Sequence, residues 1–297
     1  KTRVPLIGIS DGLQDSNHGR TQYQVADSSG FNNIVYDSGE LTVDLNEHQV
    51  PQGNLNKGNT YFARSRVRHK NGLWSNWSSG FEFSIIQPGN VLTSFSSPGS
   101  RTWGVAVDPN GNLISGDYST DPGKIYIHQG ISSTITTSFN STGDVPFGLT
   151  IDSNGNLISI DSTIDKIYIH DGISATTTSS FNTPDSNPQG LTIDNNNNLI
   201  SCDTGTDPGT IFIHDGISST ITNSFSSPDI APRGLTIDSN DNLISCDRST
   251  DKIYIHDGIS STVTRSFDSP GNGPNGLTID PNGNLINVDG GIYIIAL

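Results

Sequence analysis

The sequence predicts an all-β protein, and three observations lead to that class. A segment with a Gly-Leu-Thr-Ile-Asp-like motif recurs five times, at intervals of 42 or 44 residues. Within each copy, apolar and polar residues alternate and β-branched residues are frequent, which is typical of strands. The spacing of an amphipathic helix is missing from all five copies. The copies begin at Gly104, Gly148, Gly190, Gly234 and Gly276.

Each copy contains four predicted strands. In the fourth copy they cover residues 234–238, 242–245, 252–256 and 262–267. A repeat of this length is a supersecondary unit that buries its faces only against its neighbours. Four antiparallel strands in about 40–45 residues form one blade of a β-propeller. The repeats therefore predict a propeller.

The turn between the first two strands of each copy supports a hairpin. It reads Asp-x-Asn-x-Asn, and its fourth position always holds Gly, Asn or Asp. These residue types tolerate the positive φ angle that a tight hairpin turn requires. We expect a positive φ at Gly111, Gly155, Asn197, Asp241 and Gly283.

The two ends of the repeat region predict how the ring closes. The last copy stops at Leu297 after its third strand, and the segment 91–95, Val-Leu-Thr-Ser-Phe, matches the fourth strands of other copies. A strand added from the N-terminal side leaves the ring no open end. The sequence thus predicts a closed five-bladed β-propeller over residues 88–297, with residues 91–95 closing the last blade.

The first 87 residues follow a different pattern. Strands are predicted at 21–26, 33–37, 41–45, 60–68 and 81–86, separated by turn signals, which favours a β-sandwich. The span 55–61 has the form of a tyrosine corner ahead of a long strand, with Tyr61 as its aromatic residue. Only residues 4–10 offer a further strand, so the sandwich either is abbreviated or starts outside this chain.

A structural stack of arginine and tryptophan side chains is predicted in this sandwich. Arg64, Arg66 and Arg68 alternate onto one face of a strand, where Trp74 and Trp77 can stack between them as a cation–π ladder. Such a ladder stiffens the domain. A role in ligand binding is the alternative.

Two resemblances to known families follow from these motifs. The segment 71–78, Asn-Gly-Leu-Trp-Ser-Asn-Trp-Ser, with 22–27 and 60–68, is similar to WSxWS-like fibronectin type III modules of bacteriophage tail proteins and bacterial surface proteins. This resemblance covers about residues 20–87 and implies a sandwich in a virion or surface protein. The repeats over 91–297 resemble NHL-type propeller blades, although NHL propellers more often have six blades. The second resemblance implies a fold more than a function.

The distribution of charge argues against nucleic acid and anionic membranes as partners. The formal net charge of −15 falls entirely on residues 91–297. An acidic ring repels nucleic acid and anionic membranes, so we expect neither as a partner. No apolar run reaches the ~18 residues that membrane insertion requires. Because the chain begins with Lys1 and contains no Met, we expect a processed product or one part of a longer polypeptide.

Polar residues that recur in the copies are predicted to be structural. The groups of a reacting centre are arranged asymmetrically, so they are not expected to recur in every copy. Calcium at the Asp-x-Asn-x-Asn turns is the alternative to a plain hairpin, but these turns lack the late bidentate Glu of a calcium loop, and no cofactor is expected. Cys202 and Cys246 occupy equivalent places as small fillers, with a disulfide as the alternative. One strand end carries a histidine in four copies and Ile295 in the last. These histidines are His128, His170, His214 and His256.

Residues that differ between copies predict the binding site. The positions just before each repeated glycine and just after each strand-ending aspartate lie on one face of a propeller, while the opposite face repeats His-Asp-Gly-Ile-Ser almost unchanged. A fixed scaffold with one diversified rim is how loop-borne sites are built, although the same side chains could instead plug the channel mouth. Aromatic faces beside Arg, Asn and Gln suit a sugar. The candidate ligand-binding residues are Trp103, Phe147, Gln189, Arg233, Asn275, Tyr118 and Arg248.

These features predict a non-enzymatic, extracellular virion fibre or bacterial surface protein whose propeller head binds a surface glycan or a receptor protein. Other subunits of the virion or surface assembly are the further expected partners. A purely structural decoration or assembly domain is one alternative. A secreted propeller hydrolase or lyase is the other, although residues 91–297 contain no Glu and no nucleophile or phosphate-loop motif, so no catalytic residue is predicted.

Overall fold

The protein is all-β in a computed structural model that describes residues 6–8, 18–42, 47–51, 54–56, 58–85 and 87–297. Every regular element among these residues is a strand. The chain divides into two compact units, Lys1–Gln87 and Pro88–Leu297. The described residues form six four-stranded antiparallel sheets and one two-stranded sheet.

The N-terminal unit contains six of the strands. They are β1 (Leu6–Gly8), β2 (His18–Ala26), β3 (Ile34–Asp37), β4 (Glu47–Gln49), β5 (Thr60–His69) and β6 (Phe81–Ser84). One sheet has the order β3-β2-β5-β6, and β1 pairs with β4. Of the strand expected at 41–45, Leu41 makes an isolated bridge to Thr21, and residues 43–46 lie outside the described part.

A tyrosine fixes the approach to the longest strand of this unit. Tyr61 is buried, and its hydroxyl oxygen accepts the backbone N–H of Asn56 at 2.8 Å. It packs in a core with Val25, Val50 and Ala63. The hydrogen bond holds the preceding turn against β5, as expected of a tyrosine corner.

Arginine and aromatic side chains alternate along one face of β5. The guanidinium carbon of Arg66 lies 4.5 Å from the ring centroids of both Trp74 and Trp77. Arg64 lies 4.5 Å from Trp77 and 4.1 Å from Phe31, a residue that the sequence reasoning did not include in the stack. Contacts at these distances are cation–π interactions worth about 0.5–1 kcal/mol each at exposed sites.

Hydrogen bonds hold the guanidinium groups in place. Arg64 and Arg66 each donate two hydrogen bonds to one side-chain oxygen, of Gln24 and Gln22 respectively, at 2.7–3.1 Å. Both glutamines donate in turn to Asp37. Arg68 lies 5.9 Å from the Trp74 ring, at the far end of the stack. The planar fork of arginine makes both stacking and paired donation possible.

The C-terminal unit consists of five four-stranded sheets. The first contains β8 (Thr102–Val107), β9 (Leu113–Asp117), β10 (Lys124–His128) and β11 (Ile135–Asn140). The second contains β12 (Pro146–Ile151), β13 (Leu157–Asp161), β14 (Lys166–His170) and β15 (Thr177–Asn182). The third contains β16 (Pro188–Ile193), β17 (Leu199–Asp203), β18 (Thr210–His214) and β19 (Ile221–Ser226).

The last two sheets complete this unit. The fourth contains β20 (Pro232–Ile237), β21 (Leu243–Asp247), β22 (Lys252–His256) and β23 (Val263–Asp268). The fifth contains β24 (Gly276–Ile279), β25 (Leu285–Val288) and β26 (Ile292–Ile295), and its fourth strand is β7 (Val91–Phe95). β7 pairs antiparallel with β26, with Phe95 opposite Ile292.

Burial is greatest in the second strand of each sheet and lowest in the fourth. The second strands (β9, β13, β17, β21 and β25) are buried at every residue. The fourth strands (β11, β15, β19, β23 and β7) are mostly exposed. This gradient is the one expected when sheets pack face to face around a common axis, as in a propeller.

Five hydrophobic clusters fill the spaces between successive sheets. One, for example, joins Ile114 and Ile125 of the first sheet to Leu149 and Leu157 of the second. Three more repeat this arrangement between the following sheets. The fifth joins Ile286 and its neighbours in the last sheet to residues of β8 and β9 in the first. The repeats thus bury their faces against their neighbours, in cyclic order.

The predicted hairpin turns are confirmed. Their fourth residues have φ angles of +64° to +84° in all five sheets. In the first sheet, one oxygen of Asp108 accepts the backbone N–H groups of Asn110 and Asn112, and the other accepts the Asn112 side-chain amide at 2.9 Å. The other four turns repeat these bonds. The motif is therefore satisfied by its own side chains.

Phe95 provides a test of how β7 is held. Its ring centroid lies 6.3 Å from that of His128, and Phe139 of β11 makes the same contact with His170 at 6.5 Å. Because the two contacts are equivalent, Phe95→Ala and Phe139→Ala should each lower the free energy of unfolding by about 2–4 kcal/mol. Chemical denaturation measures both. A loss under about 1 kcal/mol for Phe95→Ala alone contradicts the docking of β7.

Candidate functional site

Five glycines bring the first strands of the sheets together at the centre of the C-terminal unit. A Cβ atom on Gly104 would lie 2.7 Å from the carbonyl oxygen of Phe147, and one on Gly148 would lie 2.8 Å from that of Gln189. Gly190 and Gly276 approach the carbonyls of the residues before the next glycine in the same way. No side chain fits at these distances, so glycine is required for the close backbone approach. The residue before each glycine consequently lies at one end of these first strands, at the centre of the unit, and we call this place the mouth.

Three aromatic side chains from two sheets pack together at this mouth. The ring centroid of Trp103 lies 4.0 Å from that of Phe147 and 4.9 Å from that of Tyr118, with Tyr118 nearly perpendicular to Trp103. Tyr118 and Phe147 lie 5.5 Å apart. All three rings are partly exposed. Edge-to-face and tilted contacts of this kind stabilise aromatic clusters.

Arginines from the first and fourth sheets cover the aromatic rings. The guanidinium carbon of Arg233 lies 4.5 Å from the Trp103 ring centroid, and one of its terminal nitrogens donates to the Gln189 side-chain oxygen at 2.6 Å. Arg248 lies 5.7 Å from Trp103. Arg101 lies 5.3 Å from the Tyr118 ring. Arg248 and Arg101 are exposed.

These residues form one group, which we call the mouth cluster. Of the seven predicted rim residues, the structure links six by ring, cation–π or hydrogen-bond contacts, and Asn275 lines the central cavity with Phe147 and Arg233. Arg101 was not among the residues predicted from the sequence. Comparison of the repeats could have found it, because it is the one arginine at its position. The corresponding residues of the other repeats are Val145, Asn187, Ala231 and Gly273. The mouth cluster comprises Arg101, Trp103, Tyr118, Phe147, Gln189, Arg233, Arg248 and Asn275.

The cavity beneath the mouth cluster is small. It has a volume of about 10 Å³ and is lined mainly by the glycine and leucine residues of the first strands. Ligand pockets usually hold about 300–1,000 Å³. The sequence left open whether the rim side chains bind a ligand or plug the channel mouth. In the structure, Arg233 and Phe147 line this small opening and Arg233 stacks on Trp103, so the mouth is largely filled. A ligand has access to the outer surface of the cluster.

The arginines of the mouth cluster have no acidic partner among the described residues. The ion pairs found there join Glu40 with two arginines of the N-terminal unit, and Lys252 with Asp268. Burial, followed by repulsion from Arg248, lowers the pKa of Arg233. The Nε atom of Arg233 and the Oδ1 atom of Asn275 are buried without a hydrogen-bond partner. Positive charge is therefore concentrated here and left uncompensated.

Buried aspartates at the ends of the second strands hold the neighbouring loops. Asp117 accepts the backbone N–H groups of Arg101 at 2.8 Å and Ser119 at 2.9 Å. Asp247 accepts the N–H of Ala231 at 2.7 Å. Each of these carboxylates thus hydrogen-bonds both the loop before the first strand and the loop after the second strand of its own sheet. They position the mouth cluster without lying on its surface.

Asp203 departs from this pattern in the third sheet. One carboxylate oxygen accepts the N–H of Gly205 at 3.1 Å, and the other is buried without a partner. The loop residue that corresponds to Ala231 is Asn187, whose N–H donates instead to Asp165 at 3.2 Å. Burial, with a contribution from Asp185, raises the pKa of Asp203 to about 6.

The repeated histidines are buried and fully hydrogen-bonded. In the first sheet, Nε2 of His128 contacts the Ser115 hydroxyl at 2.8 Å, and Nδ1 donates to the Ser132 carbonyl at 2.7 Å. The other three histidines repeat both bonds. Each lies at a β-bulge between the third and fourth strands, which turns the ring inward. Burial lowers the pKa of all four, so they are neutral and structural.

The two cysteines are free thiols in separate hydrophobic clusters. Burial raises the pKa of Cys246 to about 12 and also raises that of Cys202. Each sulfur accepts a backbone N–H, from Gly234 at 3.1 Å and from Gly190 at 3.3 Å. The thiols therefore act as the small fillers that the sequence predicted. In the part of the chain that the structure describes, no three His, Cys, Asp or Glu residues form a metal-binding group.

The fold is similar to those of solved propeller-like proteins. It matches Myxococcus xanthus glutaminyl cyclase with a TM-score of 0.58 and 13% identity, covering 70% of this chain and 97% of the cyclase. A virginiamycin B lyase from Staphylococcus aureus has a TM-score of 0.45 and 16% identity, covering 79% of this chain and 75% of the lyase. The WD40 β-propeller domain of Doa1 has a TM-score of 0.45 and 12% identity, covering 80% and 74%.

These likenesses concern the fold, and two of the three solved proteins are enzymes. No protein-family model matches the chain, and no curated protein matches it. The N-terminal resemblance to fibronectin type III modules and the resemblance of the repeats to NHL blades thus have no support in these comparisons. Within the described ranges, no helix has the length and hydropathy of a membrane span.

Asp203 and Asp247 make a matched pair for testing the loop ties. A raised folded-state pKa means that ionised Asp203 destabilises the protein above about pH 6, and that this effect disappears as the pH falls below its unfolded value near 4. Asp203→Asn should therefore raise the free energy of unfolding at pH 8 by about 1–3 kcal/mol and leave it nearly unchanged at pH 4.

The control is Asp247→Asn, which replaces an acceptor oxygen that faces the Ala231 N–H. It should lower stability at both pH values, because a buried donor is left without its acceptor. Denaturant titrations at pH 8 and pH 4 measure both variants. Equal losses for the two variants at pH 8 contradict the unpaired state of Asp203.

Proposed function

We propose that residues 88–297 form a closed five-bladed β-propeller whose mouth cluster binds a carbohydrate or another surface partner without catalysing a reaction. Three observations support the closed ring. The hydrophobic clusters follow one another in cyclic order, β7 pairs with β26, and Gly276 of the last sheet approaches the backbone of Trp103 in the first. A ring of this kind has no free sheet edge at its junction.

The observation that carries the binding function is the composition of the mouth cluster. It joins partly exposed aromatic rings to arginine side chains on a scaffold whose other features repeat from sheet to sheet. Aromatic faces bind the apolar face of a sugar ring, and guanidinium and amide groups donate to its oxygens. The carboxylates that flank the cluster accept backbone N–H groups and hold the loops that carry its side chains.

The N-terminal unit fits a structural role in the same proposal. The Tyr61 hydrogen bond and the arginine–aromatic stack on β5 are features of a stiff fibronectin type III-like module. Such a module joined to a propeller suits an extracellular virion fibre or bacterial surface protein. Its partners are then a surface glycan or receptor protein, together with other subunits of the assembly.

A secreted hydrolase or lyase is the second candidate. The observation that favours it is Asp203, a buried carboxyl group with a raised pKa and an unpartnered oxygen, which is a common property of catalytic acids. The fold is compatible with catalysis, since the cyclase that it resembles is an enzyme. Against this candidate, Asp203 is only 2% exposed.

A glycan array tests the proposed function on the full chain. Wild-type protein should bind a defined set of glycans, and Trp103→Ala and Arg233→Ala should each weaken binding at least tenfold, about 1.4 kcal/mol, because stacking and donor contacts are lost. Trp103→Phe keeps an aromatic ring and should retain part of the affinity. Arg265→Ala is the control, since Arg265 lies on β23, an outer strand.

Circular dichroism of each variant separates binding from folding. Folded variants that bind as well as wild type exclude the mouth cluster as the site. If the wild-type protein binds no glycan on the array, the purely structural alternative is favoured, in which the cluster is a plug or an assembly contact. If the wild-type protein cleaves a glycan on the array and the Asp203→Asn variant does not, the result supports the hydrolase or lyase instead.

A further inference from the structure

Arginine is concentrated at the mouth cluster. The C-terminal unit contains four arginines, and three of them, Arg101, Arg233 and Arg248, contact Trp103 or Tyr118. The same unit carries the whole formal charge of −15. Cationic side chains therefore meet at one place on an otherwise acidic surface.

The aspartates at the nearby strand ends form no ion pair with these arginines. Asp117 uses one oxygen for the N–H of Arg101 and the other for Ser119. Asp247 likewise accepts from Ala231 with one oxygen and from Ser249 with the other. No ion pair among the described residues reaches the three guanidinium groups. Their positive charge is thus available to a ligand.

Arg233 is held in place by contacts with Trp103 and Gln189. Its guanidinium group stacks 4.5 Å above Trp103, Gln189 accepts one terminal N–H at 2.6 Å, and the Nε atom is buried without a partner. A partly buried charge without a counter-charge is costly, and a neighbouring cation, Arg248, adds repulsion. A bound anion would remove both penalties.

We propose that the mouth cluster recognises a carbohydrate that carries a carboxylate. The guanidinium groups of Arg233 and Arg248 bind the carboxylate, and the rings of Trp103 and Tyr118 contact the face of the sugar. Paired N–H donors of arginine match the two oxygens of a carboxylate, and the aromatic surface lies within 6 Å of both guanidinium carbons. This inference rests on the proposed function and narrows its ligand class to acidic sugars such as uronic or sialic acids.

Matched pairs of glycans test the inference on the full chain. An array carries uronic-acid and sialic-acid oligosaccharides, each as the free acid and as its methyl ester, beside neutral oligosaccharides. The free acids should bind at least tenfold more tightly than their esters, and higher salt should weaken their binding. Calorimetry with the best acid should show at least a tenfold loss for Arg233→Ala and for Arg248→Ala. Arg265→Ala, the one arginine of the unit outside the cluster, should bind as wild type does.

The outcomes separate this inference from the function on which it rests. Equal binding of acids and esters, or preferential binding of neutral sugars, overturns the carboxylate assignment while the glycan-binding function stands. Displacement of the acid by inorganic phosphate at equal concentration also overturns it, because the site then recognises anions in general. Absence of binding to every glycan by folded wild-type protein overturns the proposed carbohydrate-binding function itself.

Discussion

The close approach of five backbone segments at the centre of the C-terminal unit determines the rest of its structure. Each approach requires a residue without a Cβ atom, and each glycine faces a neighbouring sheet at a distance that an alanine cannot occupy. This spacing allows the hydrophobic clusters between sheets to fill. It also brings the residue before each glycine to a common mouth, where side chains from opposite sheets meet.

Two classes of polar residue surround this centre. The repeated histidines bond serine hydroxyls and backbone carbonyls, and the turn aspartates accept backbone N–H groups and asparagine amides, so both stabilise the sheets. The mouth cluster differs, because it holds uncompensated arginines and two buried polar atoms without a partner. Buried polar groups are normally paired, and exceptions call for a specific explanation. Ligand binding at the mouth provides one.

Much of this arrangement could be predicted from the sequence, because the same pattern of strands and turns recurs in all five repeats and each repeat supports the others. The hairpin residues, such as Asn197 and Asp241, show the positive φ that their type indicates. Arg101 and Phe31 were missed, since their roles depend on contacts with residues far away in sequence. A filled mouth was one of two possibilities that the sequence left open, because only packing shows that Arg233 reaches Trp103 from another sheet.

The stability of Gly234→Ala tests whether the first strands require this close backbone approach. A Cβ atom at this position would lie 2.6 Å from the backbone nitrogen of Leu277, whereas one on Gly291, the control, would meet no atom closer than 3.4 Å. We predict that Gly234→Ala lowers the free energy of unfolding by about 3 kcal/mol or more, because the backbone must move, and that Gly291→Ala changes it by under about 1 kcal/mol. Equal, small losses for both variants in denaturant titrations would contradict it.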